Sequence, residues 1–241
     1  MKNASICARN LTTLLKKIGG ALPPRPPVPD DPIEVLVMSF LMWESATEKA
    51  AAGYEAIMKQ VVDFNDLRVS MPHEVAGWLG PDYPRALDRA QRLRAVLRSI
   101  YLREHAVSLD RLRKLGKREV RKYLESLEGI LPYVAARVML LCFGAHAVPV
   151  DDQLRTRLIQ AGAADVSAEV PSLAAWLTRQ IKAEDGLQSH YAFQRWIDEL
   201  AAKPEPRTAK SSKRSSAAKP ATKKRASAAK KTVATRTAGD G

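Results

Sequence analysis

At 241 residues, 46% of them hydrophobic, the chain is long enough for one good-sized domain or two small ones. Its 39 Lys and Arg against 26 Asp and Glu leave a net +13, but the excess is unevenly placed. Residues 203–241 hold 12 cations against Glu205 and Asp240, so that segment carries +10 and residues 1–202 only +3. Two cysteines, Cys7 and Cys142, exclude a four-cysteine iron–sulfur or zinc site, and the longest apolar run, Val35 to Trp43, is too short to span a bilayer.

In chain order, residues 1–20 read as a short basic amphipathic helix with Leu11, Leu14, Leu15 and Ile18 on one face, without a secretory signal pattern. Six prolines between Ala21 and Pro32 make an extended linker or wrapping segment, so residues 1–30 read as an N-terminal basic helix and Pro-rich linker. The globular domain, 31–202, opens at Asp31-Pro32, an acidic residue and a first-turn proline at a helix entry. Ile33 through Trp43 is apolar almost all round and reads as the central buried helix. A helix over Thr47 to Val62, weakened by Gly53, follows. Ser70 is the expected cap of a short helix through Leu79.

Pro84 to His105 predicts an amphipathic helix with Leu87, Ala90, Leu93, Leu97 and Ile100 facing inward. On it Arg85, Arg89, Arg92, Arg94, Arg98 and Arg103 are expected mostly to face out. Ser108 caps Leu109 to Leu115, and Pro171–Lys182 and Ser189–Ala202 supply two late helices. No run alternates as strands do, so the class is all-α. From Lys203 onward Lys, Arg, Ala, Ser, Thr and Pro dominate, a composition that buries too little apolar area to fold. Its cations, with Lys223, Lys224 and Arg225 the densest run, suit phosphate-backbone binding by counterion release, or else a solubilising spacer.

The informative stretch is Val120 to Arg157. Val120, Tyr123, Leu124 and Leu127 recur at helical spacing and Glu128-Gly129 ends the run. Pro132 sits where a first-turn proline is tolerated, Val134, Val138, Leu141 and Cys142 make a buried stripe, and Gly144 stops the second helix. Pro149-Val150-Asp151 then leads into a third helix. The order of Leu127, Gly129, Ile130, Ala135, Phe143, Gly144, Val150 and Asp151 resembles the helix-hairpin-helix DNA glycosylase superfamily, of endonuclease III and adenine-mismatch glycosylase type. That pattern runs L-P-G-[VI]-G, a helix ending in F-G, a short loop, then V-D.

The resemblance implies double-stranded DNA as partner and cleavage of the N-glycosidic bond of an extruded base. Gly129, Ile130, Leu131 and Pro132 would hold a backbone phosphate, although Leu131 replaces the second glycine; a leucine at positive φ would cost about 1–2 kcal/mol. Asp151 is the implied catalytic carboxylate, supporting an oxocarbenium-like sugar or activating the nucleophile; on spacing alone it reads first as an ordinary helix N-cap. Asp152 ranks second.

Tyr133 stands where bifunctional members carry a lysine, and a phenol forms no Schiff base, so any activity is monofunctional. The second carboxylate of the adenine-mismatch branch falls on Phe40, and Glu44 falls near a glutamine that fills the gap left by a flipped base. No iron–sulfur cluster or other cofactor is expected. The four histidines show no metal-ligand spacing, and no nucleotide loop or nucleophile elbow is present. The reading is a monomeric, non-membrane DNA glycosylase without lyase activity, or the same fold binding DNA without catalysis. Its expected location is nucleoid-associated in a prokaryotic cytoplasm, or nuclear in a eukaryote.

Overall fold

A computed structural model describes residues 3–20 and 29–202, all within one compact unit. The linker prolines before Pro29 and the cations Lys223, Lys224 and Arg225 lie outside the described residues. Among those described there is no strand. The helices are α1 (Ala4–Gly19), α2 (Pro32–Met42), α3 (Thr47–Met58), α4 (Phe64–Val69), α5 (Pro72–Leu79), α6 (Ala86–Glu104), α7 (Lys117–Glu125), α8 (Pro132–Phe143), α9 (Asp152–Gln160), α10 (Val170–Gln180) and α11 (Gly186–Ala202), with a 3-10 turn at Asp110–Lys114 before α7. No helix among the described residues is long and apolar enough to cross a membrane.

Two apolar clusters organise these helices. The first is built on α2, which starts where Asp31 accepts a 2.8 Å bond from the Ile33 amide and is buried over nearly its whole length. Because α2 is apolar all round, it is packed on several sides at once, by α3, α6 and α8. Gly53 lets α3 close on α5: a Cβ there would stand 2.9 Å from the side chains of Leu79 and Tyr83.

The second cluster joins α1, α9, α10 and α11 through Leu11, Leu158, Leu173, Leu177 and Phe193. The N-terminal helix is built into it: Cys7, Leu11 and Ile18 are buried, Asn10 donates to the Gly162 carbonyl at 2.8 Å, and Arg195 donates to the Ile18 carbonyl at 2.7 Å. Cys7 therefore lies in one cluster while Cys142 packs against the other, and burial pushes the Cys142 thiol up to about 11. These two residues do not fit an iron–sulfur cluster. Among the described residues no group of three or more His, Cys, Asp or Glu is placed to hold a metal.

Three sequence expectations change. Ser70 does not open α5. It closes α4, a helix the periodicity did not reveal, and its hydroxyl donates to the Asp66 carbonyl; the α5 cap is instead the Glu74 carboxylate on the Met71 amide at 2.9 Å. Leu87 is 49% exposed rather than inward, because it lies two residues before Arg89 and so off the face that Arg89, Leu93 and Leu97 bury.

The third is Arg89, wholly buried instead of facing solvent. It lies four residues before Leu93 and so on the buried face of α6. Its guanidinium donates to the carbonyls of Phe40, Trp43 (2.8 Å) and Pro84 (3.1 Å), between the rings of Trp43 and Tyr83. Two of those carbonyls belong to the last turn of α2, which ends without intrahelical donors and favours a cation. Arg89→Met is expected to leave them unpaired in the core and to destabilise by about 3 kcal/mol, lowering Tm by roughly 6–12 °C in a thermal melt. Arg89→Lys should rescue little, since one ammonium does not span the fork's three acceptors.

Candidate active site

Asp151 follows the buried Val150 and is the N-cap residue of α9, in extended backbone. One carboxylate oxygen accepts from the Leu154 amide at 2.8 Å, the ordinary capping bond. The other accepts from the Glu44 amide at 3.0 Å, 107 residues earlier in the chain. A plain cap makes only the first of these bonds. The residue is 6% exposed, and burial raises its pKa above the usual carboxylate value, although the two amides pull it down. Asp152 points away: its side chain is 67% exposed and lies 4.0 Å from Arg155.

Glu44 reaches Asp151 because the chain turns sharply after α2. Its φ is +51°, a left-handed conformation that carries strain in a residue with a side chain. Its carboxylate is held by Arg85 at 3.1 Å, and Arg85, just before α6, is itself left-handed with φ +50° and stacks on Trp43. Glu44, whose amide holds the candidate carboxylate, is thus ion-paired to a second residue in left-handed backbone. Burial raises the pKa of Glu44, Arg85 opposes that rise, and the charge of Asp151 adds to it. Phe40, the expected position of a second carboxylate, is fully buried in the first cluster. The residue of this segment that reaches Asp151 is Glu44, four positions further on, and it does so through its backbone amide.

Tyr133 is the second residue of α8, 6% exposed, and burial pushes its hydroxyl pKa well up, so the phenol is neutral. Tyr133 and Asp151 face a common cavity of about 10 Å³, walled also by Met42 and by His190, Phe193 and Gln194 of α11. The site thus lies at the seam of the two apolar clusters, with Tyr133 and Met42 from the first and Val150, Leu154 and Phe193 from the second. His190 was missed as a site residue, although its spacing from Phe193 and Ile197 on the buried face of α11 signals that it points inward. His146 does not line this cavity; its Nε2 is bonded to the Thr178 carbonyl at 2.7 Å.

The hairpin joins α7 to α8. Gly129 has φ +83° and packs so tightly on α6 that a Cβ would stand 2.9 Å from the Arg92 carbonyl oxygen. Leu131 is the residue before α8 and has φ −99°, extended backbone, so it carries no left-handed strain at the missing second glycine. Ile130 and Leu131 are half-buried, Pro132 is exposed at the first helical position, and no side chain caps α8.

No protein-family model matches the chain, and no curated protein matches it. In overall structure it is similar to a trapped endonuclease III–DNA covalent intermediate, with TM-score 0.61 and 16% identity over 81% of this chain and 86% of that one. It is also similar to a thermostable thymine-DNA glycosylase, with TM-score 0.55 and 17% identity over 84% and 89%. A 3-methyladenine DNA glycosylase from H. pylori bound to 1,N6-ethenoadenine matches with TM-score 0.51 and 14% identity over 83% and 96%. The hairpin, the helix ending at Gly144 and the aspartate opening α9, embedded in this all-helical frame, give the chain the fold of the helix-hairpin-helix DNA glycosylases.

Proposed function

We propose that the protein is a base-excision DNA glycosylase that binds double-stranded DNA and hydrolyses the N-glycosidic bond of a damaged or mismatched base, without a lyase step. The observation that carries this reading is the second bond to Asp151. A carboxylate fixed at both oxygens by the α9 cap and by a strained residue just after α2 is held in one orientation, buried, at the seam where α8 brings Tyr133. Such a fixed negative charge stabilises the positive charge that develops on the sugar as the base departs. Tyr133 offers no amine, so no Schiff base forms. The uncapped start of α8 and the hairpin residues Gly129 to Pro132 suit a DNA phosphate, and the segment 203–241 adds sequence-independent affinity. On this reading the protein acts as a monomer where the DNA is.

A second reading keeps the fold and DNA binding without catalysis. It is favoured by the size of the cavity beside Asp151, about 10 Å³, which admits no nucleobase unless α11 or the loop at Pro149 shifts on DNA.

Duplexes carrying single damaged or mismatched bases, treated with the protein and then with alkali, separate the two readings. Alkali-dependent strand breaks are expected on at least one lesion, with no covalent complex trapped by borohydride. An absence of breaks across a broad panel leaves the binding-only reading, and a borohydride-trapped complex removes the monofunctional assignment. Deleting residues 203–241 takes away 12 cations and is expected to flatten the dependence of DNA affinity on salt, read as the slope of log K against log salt.

A further inference from the structure

The side chain of His190 is 5% exposed, and its Nε2 is buried without a hydrogen-bond partner. Burial, with Arg137 adding to the effect, depresses its pKa to about 3, so the ring is neutral at physiological pH. A buried polar atom left unpaired forfeits about 1–3 kcal/mol, which a fold retains only when something else meets that atom. His190 lines the same cavity as Asp151 and Tyr133. At about 10 Å³ that cavity has the size of one water site, and it offers the carboxylate, the imidazole and the side chains of Gln153 and Gln194 as polar partners.

We propose that His190 and Asp151 together hold a single water in this cavity, and that the water is the nucleophile of base excision, with His190 as its positioning residue. The catalytic half of this assignment rests on the glycosylase reading above. Each Asp151 oxygen already accepts one amide but retains a second lone pair. A neutral imidazole protonated on Nδ1 accepts through Nε2. A water donating one hydrogen to the carboxylate and the other to Nε2 turns its lone pairs away from both, toward an incoming sugar. In the step itself the water oxygen bonds to C1′ and its proton passes to Asp151. The C1′–N bond breaks with its electron pair leaving on the base, which takes a proton from solvent. An imidazolium would donate instead of accept and would misorient the water, so depressing the His190 pKa serves the same end.

Two measurements on the full-length protein test this. A high-resolution crystal structure of the free protein is expected to show one water about 3 Å from both His190 Nε2 and an Asp151 oxygen; an empty or apolar-filled cavity overturns the water site. On a lesion that the wild type processes and Asp151→Asn does not, His190→Leu is expected to lower kcat by about 100-fold with KM for DNA unchanged. His190→Gln, whose amide oxygen accepts in place of Nε2, is expected to restore about tenfold of that loss. A folded His190→Leu protein with wild-type kcat, or a His190→Gln protein no better than His190→Leu, overturns the positioning role while leaving the glycosylase reading intact. A wild type inactive on every lesion overturns that reading and the catalytic half of this one, with the crystal structure still deciding the water site.

Discussion

Asp151→Asn is expected to lower the single-turnover rate of base release by roughly 100- to 1,000-fold while leaving the protein folded. Asparagine keeps one oxygen for the Leu154 amide, but its NH2 meets the Glu44 amide donor to donor, a loss of about 1 kcal/mol. Offsetting that loss, the variant no longer buries a charge. The rate deficit therefore measures the missing carboxylate, both as charge beside the sugar and as acceptor of the water's proton. Single-turnover kinetics together with a thermal melt distinguish this from unfolding, and a variant with wild-type rate removes Asp151 from the mechanism.

The pH dependence carries a sign that ordinary acid denaturation does not. On the proposed mechanism base release needs the ionised carboxylate, and burial raises the Asp151 pKa, so the wild-type rate should fall with acidification at a higher pH than a solvent-exposed aspartate would give. In stability the same shift acts the other way. The folded state takes up this proton more readily than the unfolded chain, so Asp151 favours folding more as pH drops through its raised pKa. His190 opposes it. Its pKa is depressed from 6.5 to about 3, so its contribution is fully present above 6.5 and is lost progressively as pH falls toward 3. Circular dichroism at each pH separates the loss of the catalytic anion from loss of the fold.

Gly129→Ala is expected to destabilise the protein by about 3 kcal/mol, with a Tm lower by roughly 6–12 °C. Two costs coincide there. The backbone has φ +83°, and the added methyl would stand 2.9 Å from the Arg92 carbonyl oxygen and 3.1 Å from the Ala95 Cβ. Backbone atoms of α6 do not move aside as a flexible side chain does, so α7 and α8 must lift off α6. Leu131→Gly is the informative contrast. It restores the second glycine of the resembling pattern, but at φ −99° it relieves no strain, and it is expected to destabilise by about 1 kcal/mol. A stabilised Leu131→Gly variant would show that the hairpin is strained after all.

The hairpin and the start of α9 were legible in the chain because their signals are local. A glycine that ends a helix, a proline at a first turn, and an aspartate before an apolar period each act through atoms a few residues away. The same holds for α2, whose unbroken apolar run leaves burial as the only outcome. Arg89 and His190 were misjudged or passed over because residue type suggested solvent, whereas their spacing from Leu93 and Phe193 already set them on buried faces. Periodicity was the better guide there than polarity.

What no spacing along the chain contains is the meeting of distant groups. The Glu44 amide reaches Asp151 because α2 packs on α8 and the chain leaves α2 in a left-handed turn braced by Arg85, itself in a left-handed turn. His190 faces the same cavity because α11 lies against both α8 and α9. The candidate aspartate and the hairpin thus belong to short-range chemistry that the residue order carries. The second hydrogen bond that makes Asp151 more than a cap and the unpaired imidazole that lines its cavity are products of helix packing, where burial energy spread over many side chains sets positions that no single one of them specifies.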